Sequence, residues 1–346
     1  MMRAAVLKAF REPLAIENVA EPACPDDGVV LTVLACGVCR SDWHGWVGEH
    51  PVGGPGHIGG HEYCGEVVAA GAHATHAVGD RLIAPFILSC GSCGYCRSGH
   101  SNNCDDQAIP GFNQQGAFAE FIAVPRDHNL VPLPEAVSPA LAAALGCRVT
   151  TAWHALTGRA NLQAGEWLAV HGTGGVGLAA MLLGKAMGAR VIVTDVVGQK
   201  LDHAISLGAD HAVNARECDA AEKIVELTSG GAHVSIEAFG FPETLEASIA
   251  CLRKLGRHVQ VGYPTGRHAV QDINLQTIYS RNLALFGTRG IPTWRYPSLL
   301  AMIEGGVVDL EPMIAREVGL SDVSAELAMF DGETPPGVAV ITDLAA

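Results

Sequence analysis

Short apolar runs separated by glycine and proline dominate the first 145 residues of the chain. The clearest runs are 29–34, 66–70 and 118–124. Their length and spacing predict β-strands joined by long loops, which is typical of a β-rich domain with functional residues in its connections. Near Ala140 alanine and leucine crowd together, and there the pattern becomes helical.

Between Glu166 and about Phe286 the pattern alternates between strands and helices. The continuous apolar run 167–170 is typical of a strand that is covered on both faces, and a helical stretch follows over about 175–187. Further strand-like runs lie at 190–194, 232–237, 258–261 and 283–286. This alternation predicts a doubly wound parallel sheet.

After about Gly287 the pattern predicts one helical stretch and a last strand at 337–341, which we expect to pack back on the first domain. The chain has 346 residues, 49% of them hydrophobic, which is comfortable for two domains. The expected fold class is therefore α/β, with a β-rich domain and a doubly wound domain.

Net charge and cysteine content narrow the possible functions. The formal charge is −14 and no Lys/Arg cluster opposes it, which argues against a nucleic-acid partner. No apolar run reaches about 18 residues, so we expect no membrane span. Arg11 and Glu12 interrupt the start before a signal-peptide core forms, so we expect a cytoplasmic protein. Because the cytoplasm keeps thiols reduced, eleven cysteines favour metal binding over disulfides.

A glycine-rich loop follows the first strand of the predicted parallel sheet and opens a helix. It fits G-x-G-x-x-G with Thr173 at its second position, and its other members are Gly172, Gly174, Gly175, Val176 and Gly177. Such glycines allow a tight turn, let the backbone approach a pyrophosphate and permit close packing of helix on strand. The alternative is a glycine turn that binds no ligand.

Asp195 closes the next predicted strand, 18 residues after Gly177. A carboxylate there can accept hydrogen bonds from the adenosine ribose hydroxyls of a dinucleotide. Because it would repel a 2′-phosphate, we expect NAD(H) in preference to NADP(H). The alternative for Asp195 is a solvated turn residue.

Four cysteines lie within 15 residues of one another and are separated by glycines: Cys90, Cys93, Cys96 and Cys104. Four thiolates at this spacing can close tetrahedrally on zinc and leave no open position, which is typical of a structural site. A ferredoxin-type cluster would have a shorter last spacing and a following proline, whereas Asp105 follows here. A nucleic-acid-binding zinc knuckle would have basic neighbours, and this segment has only Arg97.

A second set of candidate metal ligands is dispersed along the chain. Cys39 lies in a glycine-bounded loop, His61 follows 22 residues later, and Cys147 precedes the doubly wound domain. Two thiolates and one imidazole with an open fourth position suit a catalytic zinc. Spacing alone does not establish the site, because the three residues are far apart. His57 also follows a glycine and competes with His61, although no glutamate follows it.

Five motifs occur in the order found in the zinc-containing medium-chain alcohol dehydrogenases, and the chain resembles that family over essentially its whole length. The motifs are the run Ala35-Cys36-Gly37-Val38-Cys39-Arg40-Ser41-Asp42, the triplet Gly60-His61-Glu62, the four-cysteine segment, the pair Gly146-Cys147 and the loop from Gly172 to Gly177.

The resemblance implies a GroES-like catalytic domain (1–148 and 286–346) with a structural-zinc lobe at about 88–106, and a Rossmann NAD(H)-binding domain (149–285). It implies two zinc ions per chain, one catalytic and one structural, with NAD(H) as cofactor and a small alcohol, aldehyde or ketone as substrate. The chain is similar to the shorter microbial members, so we expect a homo-oligomer, a tetramer in preference to a dimer.

Residue roles are implied by the same resemblance. The implied ligands of the catalytic zinc are Cys39, His61 and Cys147, and those of the structural zinc are Cys90, Cys93, Cys96 and Cys104. The implied cofactor contacts beyond the glycine loop and Asp195 are Arg40, Thr151 and Lys200. Ser41 and His44 would relay the proton of the alcohol to solvent. Asp42 would orient His61, and Glu62 would lie behind the metal. The alternatives are a surface histidine at His44 and a turn former at Asp42.

Val338 stands where the family often has an arginine that helps bind diphosphate, so we expect one cofactor contact to be missing. Other functions stay open. Polyol and threonine dehydrogenases share the fold but tend to have glutamate in place of Cys147, and a zinc-stabilised NAD-binding protein without activity would need neither Ser41 nor His44. The candidates for lining a substrate pocket are Trp46, Phe86, Trp153, Tyr263, Leu285 and Trp294.

Overall fold

The computed structural model describes residues 1–345, with the exception of the Arg267 side chain. The strands of the first part are β1 (Met2–Val6), β2 (Ala15–Val19), β3 (Val29–Val38), β4 (Glu62–Ala70), β5 (Arg81–Ala84), β6 (Phe121–Val124) and β7 (Val131–Pro132). Its helices are α1 (Arg40–Trp46), α2 (Gly94–Arg97) and α3 (Pro139–Leu145).

The middle part of the chain alternates between helices and strands. Its strands are β8 (Trp167–His171), β9 (Arg190–Asp195), β10 (His211–Asn214), β11 (Ala232–Glu237), β12 (Leu252–Gln260) and β13 (Ala284–Gly287). Its helices are α4 (Arg148–His154), α5 (Gly175–Ala186), α6 (Gly198–Ser206), α7 (Ala220–Thr228), α8 (Pro242–Ala250) and α9 (Leu275–Arg281). The tail contains α10 (Tyr296–Glu304), β14 (Ile314–Gly319), α11 (Val323–Ala328) and β15 (Val338–Asp343).

Within residues 1–345 these strands form two large sheets and an antiparallel ribbon of β1 and β2. One sheet has the order β10-β9-β8-β11-β12-β13, and all its neighbouring strands are parallel. The other has the order β14-β15-β3-β4-β5-β7, with β6 also paired to β3. Since β15 pairs with β3, the tail returns to the first part of the chain. The mixed α/β architecture with a doubly wound parallel sheet is confirmed.

The parallel sheet explains why β8 reads as a continuous apolar run. Leu168 and Val170 pack into the hydrophobic core that contains residues of α5, whereas Trp167 and Ala169 pack into the core that contains residues of α8. Alternate side chains of a strand point to opposite faces of its sheet. A strand with a helix on each face therefore has no solvent-facing side that would favour polar residues.

The structure differs from the sequence-based prediction at short or edge elements. β10 and β14 were not predicted, because most of their residues are half-buried and give no continuous apolar signal. The tail contains two α-helices, α10 and α11, where one helical stretch was predicted. Among residues 1–345, no helix is both long and apolar enough to cross a membrane.

Strand membership supports a division of the chain close to the expected one. We propose a catalytic domain of 1–148 and 286–346 and a cofactor domain of 149–285, with one adjustment. β13 pairs with β12 and therefore belongs to the parallel sheet, so the cofactor domain extends to Gly287. Of the candidate metal ligands, Cys147 lies directly before α4, where the chain passes from the first part to the second.

Candidate functional site

Asp42 fixes the loop that carries the first candidate metal ligand. Cys39 is the residue before α1, and its backbone N–H donates to Asp42 Oδ2 at 3.0 Å. Asp42 Oδ1 accepts from the backbone N–H of Gly60 at 3.2 Å and lies 2.8 Å from His61 Nδ1. One buried carboxylate thereby joins two segments that are distant in sequence, and it orients the imidazole ring.

The three dispersed candidates, together with Glu62, form one cluster. One ligand atom each of Cys39, His61, Glu62 and Cys147 lies within 4.8 Å of the others. The pKa of Cys39 lies well below its usual range, chiefly because of its interaction with Cys147. Among residues 1–345, the buried His61 Nε2 has no hydrogen-bond partner. A thiolate beside an unpaired ring nitrogen is a suitable donor set for a soft divalent metal. His57 is not a member of this cluster.

Glu62 is held by Arg148, a residue that the sequence analysis did not single out. Arg148 Nε lies 3.0 and 2.8 Å from the two Glu62 oxygens, and Nη2 also donates to Glu62. Both side chains are almost fully buried. Burial raises the pKa of Glu62 to about 7, although the Arg148 guanidinium opposes this shift. The one available signal was a charged residue directly after Cys147, in an otherwise apolar stretch.

The four-cysteine segment forms a second, separate cluster, called here the cysteine lobe (residues 90–104). Its four sulfur atoms all lie within 4.8 Å of one another. The Sγ–Sγ distances are 3.4 Å for Cys93–Cys96, 3.9 Å for Cys93–Cys104 and 4.0 Å for Cys90–Cys96. All four are free thiols.

The glycine loop has the geometry that its sequence predicts. Gly172 has φ +94, and a Cβ on Gly177 would lie 1.8 Å from the Gly172 carbonyl oxygen, so neither position tolerates a side chain. No atom lies within 4 Å of where a Gly174 Cβ would stand. The open side of the turn therefore lies at Gly174, directly before α5, where backbone N–H groups favour anions.

Asp195 braces this turn from the end of β9. Its Oδ2 accepts from the Thr173 backbone N–H at 2.8 Å and from Thr173 Oγ1 at 2.6 Å. Its Oδ1 accepts from the N–H groups of Val196 and Val197 at 2.8 and 3.1 Å. The Asp195 carboxylate therefore also has a structural role, which the sequence did not indicate.

A cleft runs from Cys39, in the metal-ligand cluster, to Asp195. Cys39, Gly174 and Asp195 all line it. The Arg40 guanidinium faces the ring of Phe239 in this cleft, with Cζ 5.5 Å from the ring centroid. Lys200 Nζ donates to Thr334 Oγ1 at 2.7 Å. Burial lowers the pKa of both Arg40 and Lys200.

His44 lies on α1, three residues after Ser41, and its side chain is mostly buried. His44 Nδ1 lies 2.9 Å from Glu49 Oε2, and Glu49 also accepts from Thr265 Oγ1 at 2.8 Å. Burial lowers the pKa of His44 below its ordinary value, while Glu49 opposes that shift. Ser41 is half-buried on the first turn of α1. The burial of His44 argues against the surface alternative.

The aromatic candidates for the substrate pocket lie in different places. The Phe86 ring lies 5.9 Å from that of His61, and Phe112, which the sequence analysis missed, lies 5.2 Å from it. Trp46 is buried and donates to the Glu12 carbonyl. Trp153 is buried, and Leu285 packs against the hydrophobic core that contains residues of α8. The Tyr263 ring lies 6.0 Å from that of His44, and Trp294 donates to the Gly99 carbonyl in the cysteine lobe.

Comparison with known proteins places these observations in a family. A family described as "Alcohol dehydrogenase GroES-like domain" matches residues 25–135, and one described as "Zinc-binding dehydrogenase" matches residues 175–305. An alcohol dehydrogenase of Geobacillus stearothermophilus is 37% identical over 76% of this chain and 78% of its own length. A sorbitol dehydrogenase of Bacillus subtilis (strain 168) is 33% identical over 92% of this chain and 90% of its own.

The chain belongs to the zinc-containing medium-chain alcohol dehydrogenase family. Among solved structures, the alcohol dehydrogenase of Thermus sp. ATN1 matches with a TM-score of 0.91, at 28% identity over 98% of this chain and 99% of that one. The chain is thus an enzyme of the alcohol oxidoreductase class.

The residues present fit the zinc ions of such a dehydrogenase. Four thiolates at about 2.3 Å from a tetrahedral zinc lie about 3.8 Å from one another. The measured Sγ–Sγ distances of 3.4 to 4.0 Å in the cysteine lobe scatter around this value. In the other cluster, Cys39, Cys147 and the unpaired His61 Nε2 offer two sulfur atoms and one nitrogen, a donor set that suits a catalytic zinc.

Proposed function

We propose that this dehydrogenase interconverts an alcohol and its aldehyde or ketone, with NAD(H) as the hydride carrier. One observation carries the proposal: Cys39 belongs both to the metal-ligand cluster and to the wall of the cleft that ends at Asp195. When bound, a zinc ion there supplies Lewis acidity to the alcohol oxygen, and the nicotinamide accepts hydride.

The residues of the metal-ligand cluster and their neighbours have separate roles. Cys39, His61 and Cys147 hold the metal, and Asp42 accepts from His61 Nδ1, which leaves Nε2 for coordination. Glu62 lies behind these ligands and is neutralised by Arg148. Mutual charge compensation keeps this carboxylate from adding a further negative charge to a site that already contains two thiolates.

The proton of the alcohol leaves through α1. Ser41 passes it on by rotation of its hydroxyl, and His44 accepts it. Glu49 holds the His44 ring through Nδ1, so Nε2 is the atom that takes up the proton. His44 suits this part because its lowered pKa keeps it in the neutral, accepting form near pH 7.

The residues that line the cleft would hold the cofactor. The glycine loop and the N-terminus of α5 bind the diphosphate, and Asp195 accepts from the adenosine ribose, with Lys200 beside it. Arg40 contributes positive charge near the diphosphate. Thr151, whose Oγ1 accepts from the Gly290 N–H at 3.1 Å, would be a further cofactor contact. Because Asp195 would repel a 2′-phosphate, NAD(H) is preferred over NADP(H).

The two clusters would hold two zinc ions per chain, and the four thiolates of the cysteine lobe would bind the one with a structural role. Metal analysis of the active protein is expected to give two zinc ions per chain, and iron with visible absorbance would contradict the assignment. Cys147→Ala is expected to lose one of the two zinc ions together with activity while it keeps the fold. If fully active wild-type protein contained a single zinc ion, the assignment of a second zinc site in the cysteine lobe would be wrong.

The substrate is a small alcohol with an apolar body. The rings of Phe86 and Phe112 lie against His61 and give the pocket an apolar wall. A polyol is the second candidate, because the sorbitol dehydrogenase of Bacillus subtilis is 33% identical over 92% of this chain. An initial-rate panel of primary, secondary, aromatic and polyol alcohols with NAD+ separates the two. Higher kcat/KM for polyols than for simple alcohols would favour the second.

A homo-oligomer, a tetramer in preference to a dimer, is part of the proposal. β13 forms an edge of the parallel sheet, and nearby Leu275 and Tyr279 are strongly exposed. Unpaired strand edges and exposed apolar side chains favour association. Light scattering of the purified protein tests this, and a monomer at micromolar concentration would contradict it.

A further inference from the structure

We propose that Arg148 binds the diphosphate of the cofactor, with its Nη1 atom at the glycine turn, and that Glu62 holds the guanidinium in the orientation this requires. The inference rests on the proposed use of a dinucleotide. It assigns to Arg148 a role in cofactor binding in addition to its compensation of the Glu62 charge.

Three of the five guanidinium N–H groups of Arg148 are engaged within the protein. Nε lies 3.0 and 2.8 Å from the Glu62 oxygens, while Nη2 donates to Glu62 and, at 3.0 Å, to the Val38 carbonyl. Within residues 1–345, Nη1 makes no hydrogen bond, although Arg148 is only 3% exposed. Among residues 1–345, Nη1 is not one of the fully buried side-chain nitrogens that lack a partner, so it is open to the cleft that Arg148 lines, and a further acceptor can reach it there.

The free edge faces the glycine turn. A Cβ built on Gly175 would lie 2.8 Å from Arg148 Cδ and 3.1 Å from Nη1. Gly175 is the first residue of α5, which is twelve residues long, and Arg148, Gly174 and Gly175 line the same cleft. Backbone N–H groups at the start of a helix and a guanidinium edge both favour phosphate oxygens. The two donor sets therefore lie next to each other at the first residue of α5.

Val338 explains why a cation from another element is needed at the glycine turn. A Cβ on Gly175 would also lie 3.1 Å from Val338 Cγ1, so the last strand brings an apolar side chain to the position next to the turn. The cation near the first turn of α5 therefore comes from the start of α4 and not from β15. The contact that was expected to be missing because of Val338 is supplied by Arg148.

The test measures binding without turnover. Wild-type protein and Arg148→Gln are titrated with NADH by fluorescence, and ADP-ribose and adenosine are measured by competition. Loss of one charge-assisted contact is expected to weaken NADH and ADP-ribose by about tenfold to hundredfold, whereas adenosine, which has no phosphate, changes less than about twofold. Arg316→Gln is the matched control: Arg316 lines the same cleft but donates from Nε and Nη2 to Glu326 at 3.2 and 2.8 Å.

A double variant separates binding from charge compensation. If Arg148 only neutralised Glu62, the variant Glu62→Gln/Arg148→Gln would regain wild-type affinity for ADP-ribose, and this result would overturn the proposal. Under the proposal the double variant stays weak while its zinc content and melting temperature are normal. Arg148→Gln/Val338→Arg is expected to recover part of the affinity, because it returns a cation to the turn from β15.

Failure of the proposed function gives a different result. If the wild-type protein itself bound neither NADH nor ADP-ribose, the dinucleotide assignment would be wrong. If the wild-type protein bound both and Arg148→Gln bound them equally well, with two zinc ions present, only the proposal for Arg148 would be overturned.

Discussion

Replacement of Asp195 by glycine is expected to change cofactor selection and stability together, because the carboxylate has two sets of contacts. One set, Thr173 N–H and Oγ1 to Oδ2, fastens the glycine loop to β9. The other set, Val196 and Val197 N–H to Oδ1, closes the turn after β9. The adenosine ribose of the cofactor would approach the same group.

The stability effect follows from the burial of Thr173, which is 2% exposed. Hydrogen bonds to a charged acceptor are worth about 1.5–3 kcal/mol each, and Thr173 loses two. Water can replace the carboxylate at the exposed Val196 but reaches Thr173 poorly. The two Thr173 hydrogen bonds together correspond to a loss of about 3–6 kcal/mol, and we expect a melting temperature lower by several degrees. Differential scanning calorimetry in the absence of cofactor measures this.

The selectivity effect follows from charge. A 2′-phosphate carries about −1.5 to −2 charges, and at about 5 Å from a carboxylate in water the repulsion is about 1.7 kcal/mol. Loss of the carboxylate is thus expected to raise the NADP+/NAD+ ratio of kcat/KM by about tenfold or more. In Thr173→Val, which keeps Asp195 and loses one hydrogen bond to it, stability should fall by about 1.5–3 kcal/mol with the ratio unchanged. A wild-type preference for NADP+, or an unchanged ratio in Asp195→Gly, would refute the reasoning.

Three further predictions test other parts of the site. Cys96→Ala is expected to lower the melting temperature or cause aggregation and to lose one zinc, because the cysteine lobe folds around its metal; an unchanged melting temperature would contradict this. For His44, whose pKa burial holds below its ordinary value of 6.5, the acidic limb of kcat/KM should lie below pH 6.5. In Glu49→Gln the acidic limb should move to still lower pH, because Glu49 raises the pKa of His44. In His44→Ala the limb should disappear and alcohol oxidation should be slower, with partial rescue by small amine buffers. A pH profile unchanged in His44→Ala would show that His44 is not part of the proton relay. Gly177→Ala should abolish cofactor binding or soluble expression, because its Cβ would lie 1.8 Å from the Gly172 carbonyl, whereas Gly198→Ala, with no atom within 4 Å of the new Cβ, serves as the tolerated control.

The sequence alone was sufficient for the features that depend on local spacing. The apolar run of β8 with the following glycines predicted a parallel sheet and its cofactor turn, because strand burial and turn geometry are set within about ten residues. The spacing of the cysteine lobe likewise predicted a four-thiolate cluster, since its ligands lie within 15 residues. Short edge strands such as β10 escaped prediction because a half-buried strand has no strong apolar pattern.

Other features were decided by the tertiary structure alone. Cys39, His61 and Cys147 could be named from a resemblance, but only packing brings them within 4.8 Å. The partners of Arg148 and Asp195 could not be predicted, because Glu62 and Thr173 are 86 and 22 residues away in the chain. Residue type and spacing indicate which chemical groups are available within a short segment of the chain. Which buried charges meet is fixed only when strands from distant segments pair and exclude water, and the placement of Arg148 beside the glycine turn is of this kind.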